Sequence, residues 1–115
     1  MKTAKYWFPE FIRETEFENL FAINGVTSGN PAQILSGKIV AENFSMLKEN
    51  FDLILIDTPP LLKYPDALIL NEYSDGLALV VEANKTDLKT VREMISQLEQ
   101  VNANIIGVIL NKAER

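Results

Sequence analysis

Three stretches of this chain are apolar at nearly every position: Leu53-Ile54-Leu55-Ile56, Leu77-Ala78-Leu79-Val80-Val81 and Ile105-Ile106-Gly107-Val108-Ile109-Leu110. A strand wet on one face alternates with period two, so continuous runs predict strands buried on both faces, as in a parallel sheet. Between the runs the period changes. Val40, Phe44, Leu47 and Phe51 fall at 4-3-4 spacing and predict a helix beginning at Ala32 or Lys38. Leu88, Val91, Ile95 and Leu98 fall at 3-4-3 and predict a long helix capped by Thr86. Pro65-Asp66 opens a further helix, apolar at Leu68, Ile69 and Leu70, with Asp66 as its N-cap or first-turn acid; Ser74-Asp75-Gly76 ends it. Strands and helices alternating at this spacing mean βαβ units. The fold class is α/β, a three-layer and mostly parallel sheet with flanking helices.

The beginning of the chain reads less regularly. After Trp7-Phe8-Pro9, residues Glu10 to Glu16 predict a short helix with Phe11 and Ile12 on one side. Asn19-Leu20-Phe21-Ala22-Ile23 predicts a short strand closed by the turn dipeptide Asn24-Gly25, and Thr27-Ser28-Gly29-Asn30-Pro31 is loop chemistry. At 115 residues the whole is one domain with one core.

Composition narrows the function classes. There is no cysteine and no histidine, which removes disulfides, thiolate zinc sites and most transition-metal sites. A net charge of −5 argues against binding nucleic acid or anionic lipid non-specifically. No apolar run is long enough to span a bilayer, and Met1 to Pro9 lacks the features of a signal peptide, so a cytoplasmic location is expected.

Candidate chemistry centres on Asp57. It ends the Leu53–Ile56 run and precedes Thr58-Pro59-Pro60, which places it at the carboxyl end of a predicted strand, where α/β proteins hold ligands. A carboxylate there either helps hold the Mg²⁺ of a nucleotide or caps the turn that follows. Ser36-Gly37-Lys38 imitates the tail of a phosphate loop, but Ala32 stands at the first glycine position and Ile39 follows the lysine. The turn and the metal-binding hydroxyl are both missing. Tyr6, Tyr64 and Tyr73 read as packing residues.

Five motifs occur in one order: Asn30-Pro31-Ala32-Gln33-Ile34-Leu35, Phe51-Asp52 through Ile56-Asp57-Thr58-Pro59-Pro60, Pro65-Asp66-Ala67, Ser74-Asp75-Gly76 with Val80-Val81, and Gly107-Val108-Ile109-Leu110-Asn111. In that register the chain, from about Glu10 to Ala113, resembles the C-terminal half of the cytoplasmic ATPase domain of the bacterial tyrosine kinases of capsule and exopolysaccharide synthesis. That family belongs to the deviant Walker P-loop ATPases. The resemblance implies a truncated P-loop NTPase-like fold, with ATP and Mg²⁺ as the family's cofactors. It assigns Asp57 to the Walker B acid that helps hold Mg²⁺. It assigns Asn111 to the asparagine that contacts adenine, with a strand-end residue bonding local backbone as the other reading. Asp66 matches an acid after the Pro-Pro loop whose role stays open.

The departures from the family shape the expected function. The glycine-rich phosphate loop, its helix and a second acidic motif have no counterpart in these residues, nor does the C-terminal tyrosine cluster. Phosphoryl transfer depends on positioning and charge stabilisation, so the chain alone is expected to bind no nucleotide and to be inactive as a kinase. In the related fold the phosphate-loop strand lies between the Asp57 strand and the Leu77–Val81 strand. Its removal leaves apolar edges that must close up, take a strand from another chain or dimerise, and self-association as a two-fold dimer is the expected outcome. Three functions follow: a partial kinase-like ATPase completed by a polypeptide that supplies the phosphate loop, a nucleotide-free module binding a membrane chain-length regulator, or a truncated product without a selected function.

Overall fold

The computed structural model describes residues 12–23 and 38–114. The chain divides into two compact units, Met1–Asp57 and Thr58–Arg115. The readings of Asn24-Gly25, of Thr27 to Pro31 and of the Asn30–Leu35 motif lie outside the described residues.

In the first unit β1 (Ile12–Glu14) pairs antiparallel with β2 (Phe21–Ile23), Arg13 standing opposite Ala22. This corrects the helix expected over Glu10–Glu16 as far as the described residues reach. A turn built on Thr15 closes a hairpin instead. The Thr15 amide donates to the Leu20 carbonyl at 3.2 Å, and its hydroxyl donates to the same carbonyl at 2.8 Å. Asn19 takes the left-handed conformation, φ 61°, which asparagine adopts more readily than most residues. Helix α1 (Lys38–Asn50) buries Val40, Phe44 and Leu47, as the 4-3-4 spacing predicted, together with Asn43. Lys48 in its last turn complements the helix dipole. Phe51 stacks edge-on against Phe21, ring centroids 5.4 Å apart.

The run Leu53–Ile56 differs from expectation. It is not a strand, and Leu53 and Leu55 are exposed. A strand is defined by its ladder, and among the described residues the only sheets are β1–β2 and a pair in the second unit. Without a neighbour, apolar composition does not make a strand.

The second unit begins with a turn in which Lys63 and Tyr64 donate to the Pro60 carbonyl. Helix α2 (Asp66–Leu70) follows Pro65 and tightens into a 3₁₀ turn over Asn71–Tyr73, before Ser74. Strand β3 (Leu77–Glu82), helix α3 (Leu88–Gln100) and strand β4 (Ile105–Asn111) form a βαβ unit with β3 and β4 parallel. The α/β class, with a parallel sheet and flanking helices, is as expected. The cap of α3 is Asp87 rather than Thr86: Asp87 Oδ1 accepts the Thr90 amide at 2.7 Å. Its far end closes on Asn102, φ 53°, with the Asn102 amide on the Glu99 carbonyl and the Ala103 amide on the Leu98 carbonyl. Asn71 and Asn104 tie the loops down by side-chain bonds to the carbonyls of Val101 and Asp75.

The core of this unit is small. Leu79, Met94 and Leu98 are buried, with Leu61, Leu68, Leu77, Val81, Val91, Ile95, Ala103 and Ile105 packed around them. Strand β4, predicted to be buried on both faces, is exposed from Ile106 onward. Among the described residues it has one strand neighbour, β3, and the cluster under α3 reaches it only at Ile105, so that Val108 and Leu110, opposite Leu79 and Val81, are exposed as well. No helix among the described residues is long and apolar enough to cross a membrane.

Candidate functional site

The carboxyl ends of β3 and β4 lie side by side, because the parallel register pairs Glu82 with Asn111. The ladder continues one step beyond them, where the Ala83 amide donates to the Asn111 carbonyl at 2.9 Å. The chain then turns tightly. Asn84 is left-handed, φ 62°, the Thr86 amide donates to the Glu82 carbonyl at 3.0 Å, and the Glu82 amide donates to Thr86 Oγ1 at 3.0 Å. This reciprocal pair explains why Thr86 looked like a cap: its hydroxyl is bonded to the preceding strand, one residue before the true cap.

Just past β4, Lys112 also adopts a left-handed conformation, φ 57°. Its Nζ donates to Glu82 Oε1 at 3.1 Å, and Lys85 Nζ lies 3.7 Å from Glu82 Oε2. The hydrogen bond from Lys112, aided by the two lysine charges, holds the Glu82 carboxyl below the usual carboxylate range. Both ends of the pair are open to water, so it orients the strand ends more than it stabilises the fold. Lys112 is thereby committed to Glu82. The strand-end position of Asn111 is as expected, and its backbone carbonyl does bond local backbone.

The other predicted residues stand elsewhere. Asp57 belongs to the first unit and is exposed at the end of the unpaired Leu53–Ile56 run. Asp66 is the first residue of α2, half-buried, with Oδ1 buried and lacking a hydrogen-bond partner among the described residues. Its first-turn placement is as predicted, while the position before the helix is taken by Pro65. Ser36-Gly37-Lys38 lies outside the described residues, apart from Lys38 as the backbone start of α1. Sequence reasoning missed the Glu82–Lys112 pair, since the two are 30 residues apart. The signal was present: each stands at the carboxyl end of an apolar run, and two parallel strands of like length bring such ends together.

The fit of these residues to Mg²⁺ and ATP is incomplete. Among the described residues no three acidic, histidine or cysteine side chains gather in a way that could hold a metal ion. Mg²⁺ with a nucleotide is commonly held by one or two carboxylates plus the phosphates. Asp57 can supply a carboxylate, while the phosphates need a glycine-rich loop, and no complete G-x-x-x-x-G-K-[ST] pattern occurs in this sequence.

Comparison with known proteins supplies the context. No family model matches the chain. It is 37% identical over 105 residues to the tyrosine-protein kinase CpsD of Streptococcus pneumoniae serotype 4, an alignment covering 88% of this chain and 45% of that protein. It is 30% identical over 109 residues to the putative tyrosine-protein kinase CapB of Staphylococcus aureus, covering 94% of this chain and 48% of CapB. The solved kinase domain of VpsO matches with a TM-score of 0.85 and 34% identity, over 93% of this chain and 53% of that domain. The tyrosine kinase domain of BceF matches at 0.80 and 25%, over 90% and 43%. The chain thus spans about half the length of the relatives it matches.

Proposed function

This chain is homologous to part of the kinase domain of bacterial tyrosine-protein kinases, and from that premise we propose that it is a partial kinase-like ATPase module of capsular and exopolysaccharide synthesis. In this reading Asp57 serves the metal side of a nucleotide site and Asn111 the adenine side, while the phosphates are held by a glycine-rich loop from outside these residues. The module works at the cytoplasmic face, with a membrane chain-length regulator as its partner. The observation that carries the reading is homology along nearly the whole chain, joined to a fold match with a solved kinase domain.

A second reading, a nucleotide-free interaction module, is favoured by one feature. Lys112, the cation nearest the expected adenine residue, is engaged by Glu82. A calorimetric titration separates the two from an active ATPase. The 115-residue chain with Mg²⁺ gives no binding heat with ATP or ADP up to about millimolar concentration, because charge positioning supplies nearly all of phosphate affinity. Micromolar binding by the chain alone would overturn both readings.

A further inference from the structure

We draw no further inference here: the strongest candidate, the side-chain cluster of Glu82, Lys85 and Lys112 at the carboxyl ends of β3 and β4, belongs to the site already described.

Discussion

Leu98 and Leu55 mark the two extremes of this molecule. Leu98 on α3 is 0% exposed, held between β3 and the loop ahead of β4 in the cluster of Leu79 and Met94. Leu55 is 85% exposed in a run without strand pairing. Both are leucines, and Leu55 stands in the more apolar stretch of chain, so composition along the chain would order them the other way. The difference is the presence of neighbours. Leu98 belongs to a βαβ unit that contains its own strand pair and its own covering helix, whereas Leu55 belongs to a stretch for which the described residues offer no ladder. A fully buried leucine contributes roughly 1.5–3 kcal/mol relative to an exposed one. Leu98 therefore contributes stability that Leu55 does not.

The largest expected effect breaks the packed side of this comparison. Leu98→Ala should lower the unfolding free energy by about 2–5 kcal/mol, the range for buried leucine truncations. That is a large share of the roughly 5–15 kcal/mol available to a small domain. Urea denaturation followed by circular dichroism measures it. A loss below about 1 kcal/mol would mean that the Leu79–Met94–Leu98 cluster does not hold the unit together.

Gly76→Ala comes next. A Cβ at Gly76 would lie 2.6 Å from Ile106 Cγ2, at the point where the β3–β4 register slips between Leu77 and Ala78. Ile106 is β-branched and stiff at its first torsion. Relief therefore requires the bulge itself to shift, at about 1–3 kcal/mol as overpacking usually costs. Gly107→Ala on the exposed part of β4 meets nothing and serves as the matched control. Equal melting temperatures for the two variants would show that the register slip is soft.

These contrasts also show what was legible beforehand. Helix α1 announced itself through Val40, Phe44 and Leu47, because helical spacing is a local property. Strands β3 and β4 and helix α3 did so as well, although Met94 is buried in the core while Leu88, the first residue of α3, is exposed. The failures were non-local. β1 is a strand because Phe21–Ile23 pairs with it, and Leu53–Ile56 is not one because nothing does. At the candidate site, the strand-end place of Asn111 was readable from the apolar run before it. Glu82 and Lys112 became a pair only through the parallel register.

A smaller effect follows from pH. The Thr90 amide bonded to Asp87 holds that carboxyl below its ordinary value, and Lys112 does the same for Glu82. A depressed folded pKa gives stability that is fully present above the unfolded pKa and lost as pH falls through the folded one. The melting temperature should therefore decline below about pH 4, where unperturbed carboxylates titrate. Asp87→Asn keeps a cap acceptor but loses the charge, so its decline should be shallower, with Glu82 supplying the remainder. An identical pH profile in the variant would remove Asp87 from the explanation.

The smallest expected effect tests the exposed side. Leu55→Ser removes an apolar side chain from the most apolar run ahead of Asp57, where a strand buried on both faces would lose several kcal/mol through the cavity and an unpaired hydroxyl. With Leu55 already in water, the transfer and cavity contributions both vanish, and the change should stay within about 0.5 kcal/mol, as surface substitutions do. The denaturation midpoint of the isolated chain reads this directly. A drop comparable to that of Leu98→Ala would mean that Leu53–Ile56 is buried in solution. The two leucines would then differ in the identity of their neighbours, and no longer in having any.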